Sequence, residues 1–184
     1  MTSLPTLVVV SGPIGSGKTT LAHKIARAVG CPVVSRDEIK EGLAHGSPEF
    51  RPAAGDELTA RALPVFFGVL ELLLRAGVTT VAEAAFQDRV WRPGLEPLRG
   101  LANLRVVHCL VASDVALHRA MQRSAADPVR RVHVNPQPGR DNSDFVRHHD
   151  AFDRVSVEAP WIEVDTTDGY RPGVGDIVSF ISNA

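Results

Sequence analysis

The sequence predicts an α/β fold in which one parallel sheet is covered by helices on both faces. Three observations carry this. Short β-branched runs alternate with longer stretches of helical periodicity. The runs are nearly continuous in apolar character, as strands buried on both faces require. A glycine-rich turn joins the first run directly to the first helical stretch.

Leu7 to Val10 reads as the first buried strand. Lys18 to Val29 is a helix, stopped by Gly30. Pro32 to Ser35 is the second strand, and Arg36 to Leu43 begins a second helix. The stretch from Gly46 to Gly55 holds Pro48 and Pro52 and reads as a loop. Leu58 to Arg75 is helical, with Pro64 as a potential kink and Gly77 as its end. Val78 to Glu83 is the third strand. Val90 to Leu101 is a helix interrupted near Pro93 and Pro97.

Leu104 to Val111 is the fourth strand. Asp114 to Ala125 is a helix capped by Ser113 or Asp114. Ala126 to Asn142, rich in arginine, proline and polar residues, reads as a flap. Phe145 to Val155 is read as helical, Trp161 to Val164 as the fifth strand, and Gly173 to Ile181 as the closing helix. No repeat or linker divides the 184 residues, so one domain spanning 1–184 is expected.

Bulk properties exclude some partners. Lys and Arg total 20 against 21 Asp and Glu. A general basic field for nucleic acid or an anionic membrane is therefore absent. No apolar stretch is long enough to span a bilayer, and the first residues lack a basic leader region. Cys31 and Cys109 have no metal-type spacing and read as free thiols of a reducing, cytoplasmic compartment.

Ligands of a parallel sheet bind at the carboxyl ends of its strands. That rule brings residues 11–20, 35–37, 83–87 and 165–167 to one rim. The first of these, Gly12-Pro13-Ile14-Gly15-Ser16-Gly17-Lys18-Thr19, fits the P-loop pattern in full. Gly12, Gly15 and Gly17 let the backbone approach phosphate closely. The N–H groups from Ser16 to Thr20 then face the anion. Lys18 reaches the outer phosphates, and Thr19 offers its hydroxyl to Mg2+. The expected cofactors are ATP or GTP with Mg2+.

On the acceptor side, Asp37 stands at the rim, where a carboxylate can take or orient the proton of an attacking hydroxyl. Its alternative reading is a helix cap. Arg36 either contacts a substrate anion or is a solvated neighbour. Glu83 ends the third apolar run and either orients the magnesium shell or binds acceptor hydroxyls. Arg119 and Arg123 share a helix face, and Arg130, Arg131, His133 and Arg140 follow in the flap. Arginines that close over a transferred phosphoryl group stabilise its charge. Arg123 and Arg130 are the leading candidates. His148-His149-Asp150 reads as a solvated helix face, because adjacent histidines on a helix diverge.

Taken together, Gly12 to Thr19, Ser35-Arg36-Asp37, Glu83-Ala84-Ala85-Phe86, the arginines after the fourth strand and Val164-Asp165-Thr166-Thr167 resemble the P-loop small-molecule kinases of the AAA-33 type. These are relatives of chloramphenicol phosphotransferase, zeta toxin, gluconate and shikimate kinases and the kinase domain of polynucleotide kinases. The resemblance implies a three-layer P-loop NTPase sandwich with strand order 2-3-1-4-5 and a lid at about 119–142. It implies that Asp37 matches the proposed base and that Asp165 and Thr166, with Arg119, lie near the nucleobase. It also places Phe86 on the substrate side. Many relatives carry Asp where this chain has Glu83.

The expected reaction is phosphoryl transfer from a nucleoside triphosphate to the hydroxyl of a small molecule such as a nucleoside, sugar or antibiotic, by a monomer or homodimer. A polynucleotide 5′-hydroxyl acceptor would need a basic groove with stacking aromatics, which the composition does not supply. A toxin-like kinase of a nucleotide-sugar fits the same residues. A regulatory nucleotide switch is the reading from another class; the Asn-Lys-x-Asp element of a GTPase switch is absent.

Overall fold

The computed structural model describes residues 4–47, 49–53, 55–126, 132–133 and 136–183. The strands are β1 (Thr6–Ser11), β2 (Val33–Ser35), β3 (Thr80–Glu83), β4 (Asn103–Leu110) and β5 (Trp161–Asp165). The helices are α1 (Lys18–Val29), α2 (Arg36–Ala44), α3 (Glu57–Arg75), α4 (Asp88–Leu95), α5 (Ser113–Ala126), α6 (Ser143–Asp150) and α7 (Val174–Ser182). The strands form one parallel sheet in the order β2-β3-β1-β4-β5.

Alternation along the strands divides the core in two. Leu7, Val9, Ala82, Leu104 and Val106 pack against α3 and α4. Val8, Val10, Val81, Val107 and Val164 pack against α1 and α7. Both faces of the central strands are thus dry, which is why β1 reads as an unbroken apolar run. An aromatic cluster of Phe66, Phe86 and Trp91 fills the α3–α4 side, with ring centroids 4.7 to 6.0 Å apart.

Three local expectations are corrected. The third strand begins at Thr80 rather than Val78. The N–H of Val78 donates to Leu73 O and that of Gly77 to Leu74 O, with Gly77 at φ 75°. This left-handed C-terminal motif satisfies the last carbonyls of α3 and keeps Val78 out of the sheet. The helix expected over 90–101 begins at Asp88 and ends at Leu95. Pro97 has no N–H to continue it, and Glu96–Gly100 tightens to a 3-10 turn. The helix expected from Phe145 to Val155 stops at Asp150. Beyond it, Val155 and Val157 enter the core, and Ser156 donates through both its N–H and its hydroxyl to Asp88.

Candidate active site

The site is built where the carboxyl ends of β1, β2 and β3 meet the start of α1. After β1 the chain turns through the P-loop. A Cβ on Gly15 would stand 2.2 Å from Ala116 O, and one on Gly12 would stand 2.6 Å from Ser16 Oγ and 2.8 Å from Cys109 O. The loop therefore lies against β4 and the first turn of α5 with no room for a side chain. Gly17, at φ 76°, leads into α1 without a side-chain cap, and the first turn of α1 carries no acidic residue. Its N–H groups and positive end stay open to an anion. The Ser16 hydroxyl is buried and has no hydrogen-bond partner among the described residues. It is a further donor at the cradle.

Glu83 is the centre of the arrangement. It shares a face with Val81, two residues earlier, and so projects toward α1. Its strand neighbours are Val10 of β1 and Ser35 of β2. The carboxylate is 1% exposed. Ser35 Oγ donates to Oε2 at 2.7 Å, and Thr19 Oγ1 donates to Oε1 at 3.3 Å. Lys18 Nζ lies 3.8 Å from Oε1 and donates to Pro13 O at 3.4 Å. A buried carboxylate paired and hydrogen-bonded in this way satisfies the demands of burial. Residue 35 was expected at the rim, but its bond to Glu83 was not readable from the sequence, because the two stand 48 residues apart across a strand pairing.

Asp37 sits in the first turn of α2. The cap position is taken by Ser35, so the alternative reading of Asp37 as a cap fails. Arg36 Nη1 donates to Asp37 Oδ1 at 3.0 Å. Burial would raise the Asp37 carboxyl, but the positive charges of His133, Lys18 and Arg36 outweigh it and hold the group below the ordinary carboxylate value. His133 of the flap also meets Glu41, one turn further along α2, at 2.9 Å.

On the other side of the P-loop, Arg119 Nη2 donates to Thr166 O at 2.8 Å and to Thr167 O at 2.9 Å. The Thr166 hydroxyl donates to Ser16 O at 2.7 Å. Asp165 accepts the Thr167 N–H at 2.8 Å, which lowers its carboxyl from the ordinary value. A cleft of about 540 Å³ opens here, lined by Gly17, Thr20, Lys24, Arg119, Arg123 and Tyr170 among others. Lys24 Nζ lies 4.7 Å from the centroid of the Tyr170 ring. Tyr170, the single tyrosine of the chain, was not singled out by the sequence reading.

The structure thus gathers Lys18, Thr19, Glu83, Arg36 and Asp37 at one rim and Thr20, Arg119, Arg123 and Thr166 around the neighbouring cleft. Arg130 lies outside the described residues. Phe86 does not reach the rim: its ring is fully buried between Phe66 and Trp91, and only its carbonyl is used, by Ser11 Oγ. His149 is not on a solvated face either. Its side chain is 8% exposed, beside Phe145 and Asp150. Among the described residues no three His, Cys, Asp or Glu side chains gather to hold a metal, and no helix is long and apolar enough to cross a membrane.

A family model described as an AAA domain, AAA_33, matches residues 7–136. Among solved structures, a candidate kinase from Chloroflexus aurantiacus shares 20% identity at a TM-score of 0.83, covering 97% of both chains. The Mycobacterium tuberculosis APS kinase CysC, solved with AMPPNP and APS, shares 14% identity at a TM-score of 0.67 and covers 99% of this chain and 100% of its own. A gluconokinase from Sinorhizobium meliloti shares 17% identity at a TM-score of 0.60, covering 98% and 94%. Among curated proteins none matches in sequence. At these identities the structural likeness establishes the fold, that of the P-loop kinases.

Proposed function

The chain belongs to the AAA_33 family, and from that premise we propose that it is a kinase which transfers the γ-phosphoryl group of ATP or GTP, with Mg2+, to a hydroxyl of a small molecule. The observation that carries this reading is the convergence on Glu83. Lys18, Thr19 and Ser35 meet its carboxylate, and Asp37 follows at the head of the next helix.

The residues present fit a bound triphosphate. The buried Ser16 hydroxyl, which meets no partner among the described residues, the uncapped start of α1 and Lys18 are all donors toward an anion. Lys18 leaves Glu83 for the outer phosphates. A threonine hydroxyl and a carboxylate at Thr19 and Glu83 suit a hard cation, which takes most of its other ligands from phosphate and water. When bound, Mg2+ neutralises charge on the outer phosphates.

Asp37 is ionised at neutral pH because its carboxyl is held low. It orients the acceptor hydroxyl and receives its proton as the new oxygen–phosphorus bond forms. The bond from the γ-phosphorus to the bridging oxygen breaks, and its electron pair leaves on the nucleoside diphosphate. Arg36 holds the Asp37 carboxylate in place. The nucleobase occupies the cleft between Arg119 and Tyr170, near Asp165 and Thr166. Arg123 and Arg130 neutralise charge on the transferred group from a lid over residues 119–142. The acceptor is a nucleoside, a sugar or an antibiotic, and the enzyme works in the cytoplasm as one domain.

The test is turnover of ATP and GTP with Mg2+ against a panel of nucleosides, sugars, sugar acids, antibiotics and a short oligonucleotide, reading diphosphate release and acceptor mass together. A gain of one phosphate on a small molecule is the expected result. Phosphate on the oligonucleotide alone moves the acceptor class. Diphosphate release that no acceptor stimulates replaces the kinase with a nucleotide switch.

A further inference from the structure

Lys40 has an environment that the phosphoryl-transfer reading does not use. It lies on α2, one turn beyond Asp37, and its side chain is 4% exposed. Its ammonium donates to Asp56 Oδ2 at 2.8 Å and lies 5.5 Å from the centroid of the Phe50 ring. Asp56 is 6% exposed at its side chain and has two further partners. Its Oδ1 accepts the N–H of Thr59 at 2.8 Å, capping α3, and its Oδ2 accepts the N–H of Ala53 at 3.3 Å. One carboxylate therefore ties together α2, the connection after it and the first turn of α3.

A buried ion pair is a poor means of gaining stability, because apolar residues of similar volume do as well or better. What it does give is direction: each partner has to stay where the other can reach it. An adjacent face of α2 is tied by Glu41, which meets His133. α2 is held on two adjacent faces, one by each pair, with Asp37 on the turn before both.

We propose that the Lys40–Asp56 pair fastens the α2–α3 connection to α2 and thereby sets the position of Asp37 against the acceptor, which makes Lys40 a positioning residue for the acceptor half of the reaction. This rests on reading α2 as the acceptor helix. The P-loop is held by other contacts, to β4, α5 and Thr166, so the nucleotide half is independent of the pair.

The experiment compares Lys40→Met, Lys40→Arg and the double variant Lys40→Met/Asp56→Asn with the parent enzyme. The double variant leaves no unpaired buried charge and keeps a capping side chain on α3, so it folds where the single variant fails. Measured are kcat, KM for the phosphorylated acceptor and KM for the nucleotide. Displacement of a reacting group by about 1 Å can cost about a hundredfold, so a fall of about tenfold or more in kcat/KM for the acceptor is expected in the double variant. Nucleotide KM stays within about twofold, and Lys40→Arg recovers most of the loss. An unchanged acceptor kcat/KM, or a parallel loss on both substrates, overturns the proposal. If the parent phosphorylates no acceptor, the kinase reading fails by itself. Amide exchange over residues 45–59 then decides the fastening: faster exchange confined to that stretch in the double variant supports it, and unchanged exchange removes it.

Discussion

The two halves of the proposed site, one for phosphate and one for the acceptor, are secured in different ways. The phosphate half is held by backbone. Gly12 and Gly15 leave no space between the P-loop and its neighbours, and the Thr166 hydroxyl and Arg119 bind main-chain carbonyls. The acceptor half depends in addition on side-chain pairs, Lys40 with Asp56 and Glu41 with His133, on adjacent faces of α2. Backbone packing tolerates little change, whereas a side-chain pair can be exchanged by one or two substitutions. The difference teaches where this fold can be altered to accept a new hydroxyl and where it cannot. Pocket chemistry on the second half sets specificity, while the first half stays fixed.

The sharpest way to break the comparison is Lys18→Ala. Loss of the phosphate-half cation should lower phosphoryl transfer by about a thousandfold or more, measured as acceptor phosphorylation in a folded protein. Retained transfer would remove the P-loop from the chemistry. Asp37→Asn comes next. Its turnover should fall about a hundredfold while nucleotide binding, read by calorimetry, stays near that of the parent. The parent's acid limb should lie below the ordinary carboxylate range, since the Asp37 carboxyl is held low. An equal loss of nucleotide affinity would merge the two halves.

The third prediction concerns acid. The Asp56 carboxyl is driven down to about 2: burial opposes this, and the Lys40 hydrogen bond and the Thr59 N–H outweigh it. A depressed carboxyl stabilises the fold above its unfolded value and loses that contribution as pH falls through the folded one. The ionised Asp56 carboxylate, with Lys40, Thr59 and Ala53 together as its partners, should therefore contribute about 2 kcal/mol near neutrality relative to its protonated form, lost between about pH 4 and pH 2. Denaturant melts of the parent and Asp56→Asn should converge across that window, and a constant gap would dismiss the Asp56 carboxylate as a stabiliser. The smallest effect is expected for Arg119→Ala, a weakening of nucleotide affinity of about tenfold with acceptor KM unchanged. A change confined to the acceptor would place Arg119 in the other half.

The phosphate half was almost wholly legible in the sequence. A parallel strand buried on both faces announces itself as an apolar run, and the glycines between β1 and α1 have a spacing that phosphate imposes. The helix read as running from about Lys18 to Val29 spans those residues. The acceptor half was legible only in its carboxylates. Lys40 and Asp56 are 16 residues apart across an irregular stretch, and no periodicity marks them as partners. Phe86 shows the same limit from the other side. An aromatic residue just past a strand end reads equally well as a wall of the site or as core, and only the placement of Phe66 and Trp91 decides for the core.

The hydrogen bond from Thr166 to Ser16 O spans 150 residues of chain. It closes a loop that contains most of the molecule. Contacts this distant in sequence are paid for late in folding, after the local helices have formed. On the ribosome, the P-loop emerges long before the strand that seals it. The N-terminal segment then carries its motif in full but lacks the clamp that keeps the loop in shape. The Thr166 clamp on the P-loop can form only once β5 docks beside β4, so a motif synthesised early is sealed late.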